Sequence, residues 1–228
     1  MDQIIKPTET YVKECLTDAE GGHDWFHIER VWKNARYIRE KEEKGDLLVI
    51  ELAALLHDIS DPKFNGGDEE KGMILASAFL EEQGLDRERI EHVGKIVRHV
   101  SFKGGKPQNV ISTIEFQIVQ DADRLDAIGA IGVARAFNYG GHKDRAIHNP
   151  NVSIQDYASV EAYRNSPAPT ITHFYEKLLK LKDLINTPTG LALAEQRHQY
   201  MLDFLDQFYR EWDPGISLQA DVFPPQPD

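Results

Sequence analysis

In the stretch ELAALLHDISDPKF, residues 51–64, an unbroken apolar run from Leu52 to Leu56 gives way to His57, Asp58 and, three positions on, Asp61. With the preceding LLVI the run predicts a helix that is apolar on every side, and such a helix has to be covered on every side. It holds Glu51 and is far shorter than the roughly 20 apolar residues of a membrane span. Ionisable groups at the inner end of a buried helix are costly unless something pairs with them, and an imidazole beside a carboxylate suits a divalent cation. A polar turn at the surface would end a helix in the same way, so the rest of the chain has to decide between the two readings.

Outward from this stretch, helix follows helix and no strand pair is predicted. HIERVWKNARYIREKEE, residues 27–43, places Ile28, Val31, Trp32, Ala35 and Ile38 at three- and four-residue intervals, which is one apolar face, with charges on the other. Asp24 stands where an N-cap belongs, and Gly21, Gly22 and Gly45 fall in the breaks. Further helices are predicted at about 8–18, 46–59, 69–83, 86–100, 110–128, 130–137, 170–186 and 189–210. NYGGHKDRAIHNPNVS, residues 138–153, reads as the one long irregular segment, of the kind that forms lids and binding loops. The expected architecture is all-α, with a single domain over residues 1–212 and a Pro-rich tail over 213–228.

A chain of 228 residues with 41% hydrophobic content can bury a sizeable core. Its net charge of −12 repels polymeric nucleic acid and anionic membrane, so neither is expected as a partner; a phosphorylated ligand would need local cations or a metal. The single cysteine, Cys15, leaves no internal disulfide, and MDQIIKPTET has neither a basic nor an apolar secretory segment. Cytoplasmic residence is the default expectation.

Two other helices carry groups that could join His57 and Asp58. His27 lies in the first turn of its helix, 30 residues before His57, so antiparallel packing of the two helices sets the start of one beside the end of the other. IEFQIVQDADRLDAIGA, residues 114–130, carries Asp121, Asp123 and Asp126 among Ile118, Val119, Leu125 and Ile128. Asp121 and Asp123 stand about 200° apart on a helix, so at most one of them points at a given neighbour. One His, a His-Asp pair and one inward Asp make a mixed nitrogen and oxygen set suited to one divalent metal: manganese, magnesium, iron, cobalt, nickel or zinc.

This ordered set resembles the H…HD…D signature of the HD-domain superfamily of metal-dependent phosphohydrolases. GHDWFHIERV, HVSFKGG, YGGHKDR and HFYEKLLKLKDLINTPTG are similar to its YpgQ-like branch, so the resemblance covers roughly residues 5–212. Residue by residue it implies His27, His57, Asp58 and Asp123 as metal ligands, and leaves Asp121 and Asp126 as supporting or surface groups. It also implies a compact HD-type helical bundle with additional C-terminal helices, and hydrolysis of small nucleotides, including release of pyrophosphate from nucleoside triphosphates by attack of a water held on the metal.

Within that reading Asp61, one helical turn beyond Asp58, is placed to reach such a water without being a ligand, and is the expected general base. Cations are needed for a polyphosphate. Lys63, Lys103, Lys143, Arg124 and Arg145 are the candidates, with Arg145 preferred as a phosphate clamp because a guanidinium binds phosphate oxygens in pairs. Lys63, Lys103, Arg145 and His99 are expected to meet the substrate. His173 could face the site but reads more simply as a core histidine, and His23, His92, His142, His148 and His198 as structural or surface groups. Two alternatives remain at this point. His92 and His99 could serve a second metal, as in di-iron oxygenases of HD type, or the domain could bind nucleotides without catalysis. The identity of the nucleotide, the metal and the oligomeric state are not encoded in readable motifs.

Overall fold

The computed structural model describes residues 2–17, 24–60, 70–100, 111–154 and 168–214, and among them helices alternate with turns and no strand occurs. The helices are α1 (Asp2–Cys15), α2 (Trp25–Glu42), α3 (Leu47–Leu56), α4 (Lys71–Glu82), α5 (Arg87–His99), α6 (Ile114–Asp126), α7 (Gly129–His142), α8 (Thr170–Glu176) and α9 (Pro188–Trp212), with a 3-10 helix over Leu178–Leu184. The all-α expectation holds. No helix among the described residues is long and apolar enough to cross a membrane. The chain divides into two compact units, Met1–Asp126 with Asn186–Gly190, and Ala127–Ile185 with Leu191–Asp228.

In the first unit α3 is the central element, packed by α1, α2, α5 and α6. Its residues from Val49 to Leu56 are all buried, as a helix without a polar face requires. Each fully buried Leu or Ile side chain contributes about 1.5–3 kcal/mol, so α3 alone holds a large share of the core. Asp46 caps its start, accepting from the backbone of Leu48 at 2.9 Å. Glu51 is buried within it and accepts from Trp32 Nε1 at 3.1 Å, with Arg36 Nε at 3.2 Å. Helix α2 buries Ile28, Val31, Ala35 and Ile38 as its periodicity predicts, while Trp32 is half-buried at the edge of that face. Asp24 is its N-cap, accepting from His27 N at 3.0 Å.

Three helix boundaries differ from expectation. Helix α1 begins at Asp2 rather than near residue 8, with Pro7 inside it. Pro7 removes one backbone hydrogen bond, but Ile5, Thr8 and Val12 on one face are buried and offset that loss. Helix α7 runs to His142 rather than stopping at 137, so the first part of the segment read as irregular is helical. Its Gly140 is there for close approach: a Cβ would lie 2.1 Å from Thr170 Oγ1. The helix expected over 170–186 breaks at Lys177 into α8 and the 3-10 helix, whose three-residue period lets Leu178 and Leu181 both bury.

The second unit is built on aromatic side chains. Phe137 of α7, Phe174 of α8 and Phe204 of α9 lie with ring centroids 5.8–6.1 Å apart. His148 stands edge-on to Phe208, Tyr209 and Trp212, the nearest centroid 4.8 Å away, which agrees with a structural role. His173 is pulled down to about 3, first by burial and then by the charges of Lys177 and Arg145. A histidine kept neutral in the folded state loses nothing above its unfolded pKa near 6.5, but below it the unfolded chain takes up a proton that the fold refuses. Stability should therefore fall as pH drops from about 6.5 toward 3, by up to about 1.4 kcal/mol per pH unit from this group. Urea midpoints of His173→Gln measured at pH 7 and pH 5 are expected to differ less than those of the wild type; an equal acid loss in both would remove His173 as its source.

Candidate metal centre

The site grows from the ends of three helices in the first unit. His27 is held in the first turn of α2 by the Asp24 cap, His57 follows the last residue of α3, and Asp123 sits on α6, which packs against both. Their donor atoms converge: His27 Nε2 to His57 Nε2 is 3.3 Å, His27 Nε2 to Asp123 Oδ1 3.5 Å, and His57 Nε2 to Asp123 Oδ1 3.7 Å. Both histidines are buried, and Asp123 is partly open to solvent.

The other ring nitrogens decide what this cluster is. His57 Nδ1 lies 2.8 Å from the carbonyl of Ala54, which can only accept, so Nδ1 carries the proton. His27 Nδ1 lies 2.7 Å from Asp126 Oδ2, whose carboxylate also takes Arg30 Nε at 2.6 Å and Nη2 at 3.0 Å, so here again the ring donates. In the neutral rings both Nε2 atoms are then bare lone pairs, aimed at each other and at a carboxylate oxygen. No hydrogen bond can join them. Three electron-rich donors held this close call for a cation, and separations of 3.3–3.7 Å suit atoms that would share one small divalent ion. The residues fit a divalent ion. Among the described residues this is the one group of metal-ligating type.

The neighbouring carboxylates have separate tasks. Asp58 is buried beside His57 but outside the group of His27, His57 and Asp123, whose ligand atoms all lie within 4.8 Å of one another. Asp121 is fully buried and points away from Asp123, as the 200° offset requires. It accepts from Asn186 N and Nδ2 and from Thr187 N and Oγ1 at 2.7–2.9 Å, so it anchors the segment that opens α9 and is neither a surface group nor a support of the metal ligands. Burial pushes its carboxyl up despite those four donors. Arg124 is buried, and its guanidinium is pulled down by burial against the attraction of Asp121 and Asp123.

The other candidates spread more widely. Asp61, Lys63 and Lys103 lie outside the described residues. His99 closes α5 and is half-buried. His92 lies 2.9 Å from Thr113 Oγ1 rather than in open solvent. Arg145 belongs to the second unit, where it and Lys143 both lie over the ring of Tyr139, 5.6 Å from its centroid.

Comparison with known proteins agrees with this geometry. The HD-domain profile matches residues 25–128, the span from α2 through α6 that contains the whole cluster. The Bacillus subtilis protein YpgQ is 40% identical over 216 residues, covering 92% of this chain and 94% of the relative. This chain belongs to the HD-domain superfamily. An HD-superfamily hydrolase from Bacillus thuringiensis matches this HD protein with a TM-score of 0.74 at 43% identity, over 93% of this chain and 98% of that one. Bacillus subtilis YpgQ, solved in complex with ADP, matches it with a TM-score of 0.69 at 36% identity, over 92% of this chain and 98% of that one. Sequence reading of the HD protein missed one member of the site altogether. Arg30 is three residues after His27, and Asp126 three after Asp123, so HIER and DRLD form matched pairs on two packed helices; that shared spacing was the available signal.

Proposed function

We propose that the chain is a metal-dependent phosphohydrolase of small nucleotides, and specifically that it releases pyrophosphate from nucleoside triphosphates. The observation that carries the proposal is the convergence of His27 Nε2, His57 Nε2 and Asp123 Oδ1 at 3.3–3.7 Å from one another. The ADP bound in the YpgQ structure supports a nucleotide as the ligand class. His27, His57 and Asp123 would hold the ion, with Asp58 as the fourth ligand. A divalent ion there supplies Lewis acidity and lowers the pKa of water. Asp123, being partly exposed, opens the site toward the substrate side, while the burial of both imidazoles excludes water from behind them. Asp61 orients the attacking water and takes its proton, and Lys63, Lys103, His99 and Arg145 meet the phosphates or the nucleoside.

The test is a nucleotide screen with chelated enzyme resupplied with Mn, Mg, Fe, Co, Ni or Zn one at a time, reading phosphate and pyrophosphate separately. Pyrophosphate with a nucleoside monophosphate is the expected product pair. Phosphate alone would make the enzyme a phosphatase, and oxygen consumption with iron in place of hydrolysis would overturn the proposal. Arg145→Ala is expected to raise KM for triphosphates by about tenfold or more, the effect of losing a charged hydrogen-bonding partner. Unchanged KM and kcat on every active nucleotide would take Arg145 out of the site.

A further inference from the structure

We infer that Arg30 and Asp126 are positioning residues that fix the tautomer of His27, and through it set the affinity of the site for its cation. The inference rests on the reading of His27 as a ligand. Asp126 is 1% exposed and lies at the C-terminal end of α6, where its two oxygens are shared between α2 residues one turn apart. Arg30 presents only donors: Nε to Oδ1 at 2.6 Å and Nη2 to Oδ2 at 3.0 Å. Both carboxylate oxygens must therefore accept. The only role left to His27 Nδ1, 2.7 Å from Oδ2, is to donate, which leaves Nε2 bare and directed at His57 and Asp123. The chain of logic runs from a half-exposed guanidinium, through a buried carboxylate, to the lone pair that meets the ion. His57 receives the same instruction more simply, from the Ala54 carbonyl one turn back in its own helix. One imidazole is set by backbone, which side-chain substitution cannot remove; the other is set by side chains and can be reversed.

Asp126→Asn provides the reversal. The amide has one oxygen and one NH2, and Arg30, with donors only, claims the oxygen. The NH2 then faces His27 Nδ1, which must accept, so the ring proton moves to Nε2 and points into the site. A second change restores the order: Arg30→Met in the Asp126→Asn protein no longer claims the oxygen, and the amide can turn it toward His27. A carboxylate that served only to tie α2 to α6 would show no such rescue, because the double variant makes fewer interhelical bonds than the Asp126→Asn protein it is compared with.

The experiment reads tautomers and affinity, not turnover. Histidine 15N shifts in the metal-free full chain are expected to show His27 protonated at Nδ1 in the wild type and at Nε2 in Asp126→Asn, with the His27 signals identified by their loss in His27→Ala. Mn2+ titration is expected to show affinity lowered by about 10–100-fold in Asp126→Asn, the usual effect of losing the partner of a ligating histidine, and partly recovered in the double variant. An Asp126→Asn protein with the wild-type tautomer and affinity would overturn the inference. Should that variant fail to fold, Arg30→Met alone decides: a fall of about three- to tenfold in Mn2+ affinity is expected once Asp126 is no longer held, and no change would overturn it. Wild-type affinity in His27→Ala would instead overturn the ligand reading beneath it.

Discussion

His57→Ala and Asp123→Ala proteins should emerge from desalting without bound divalent metal and without measurable turnover, while keeping the helical signal of the wild type. Either change deletes one of the three donors that face each other at 3.3–3.7 Å, so the loss of affinity should exceed the about 10–100-fold that follows from disturbing a group that only orients a ligand. Stability should not fall in step. Removing His57 relieves the apposition of two lone pairs, and the alanine keeps the turn that ends α3. In the metal-free state these variants are therefore expected to melt close to the wild type, and only the wild type should gain stability when Mn2+ is added, because an ion that binds the folded state alone shifts the equilibrium toward it. Elemental analysis and melting with and without metal check both parts. Full occupancy in Asp123→Ala would take that carboxylate out of the set, and since Asp121 is committed to residues 186–187 and Asp126 to Arg30 and His27, Asp58 would be the carboxylate ligand.

Asp61→Asn should behave in the opposite way, with metal and substrate binding retained and rate lowered by about 10²–10⁴-fold, the range for losing a general base. Amide and carboxylate have nearly the same shape, so packing is undisturbed and the change removes only the ability to take a proton. A ligand role for Asp61 would lower metal content along with rate, which separates the two functions in one preparation. Retained metal with near-normal turnover would mean that the ion alone acidifies the water enough for attack. The odd ending of the stretch at residues 51–64 would then be owed to His57 and Asp58.

Much of this was legible in the sequence because two of its signals are one-dimensional. An unbroken apolar run has to be covered on every side, and α3 is a helix that is; helical periodicity gives α2 with its buried face. Three of the four proposed ligands, His27, His57 and Asp123, were picked out by helix ends and an ordered motif, and these three converge. What could not be read depends on contacts between distant elements. Nothing in IEFQIVQDADRLDAIGA says that Asp121 faces residues 186–187, since INTPTG announces a helix start without naming its partner. Gly140 looked like loop chemistry because glycine in a helix is unfavourable on its own; only the approach of Thr170 shows why it is there. Arg30 looked like one more charge on a solvated face, and its carboxylate partner is 96 positions away.

Glu51 has a further consequence for the centre six residues along. A rod that is greasy on every side has its angle of rotation set by how its side chains interlock with those around it, with no polar contact to mark one angle. Glu51 adds such a mark. It is the one charged side chain in α3, and its partners Trp32 and Arg36 lie on α2, the helix whose first turn carries His27. The pairing works as a key in a slot: it indexes α3 against α2, so that where α3 ends, the imidazole of His57 comes to rest opposite that of His27. A leucine at position 51 would leave the core as oily as before but remove that index, and the seating of one ring opposite the other would then rest on the packing around α3 and on its Asp46 cap.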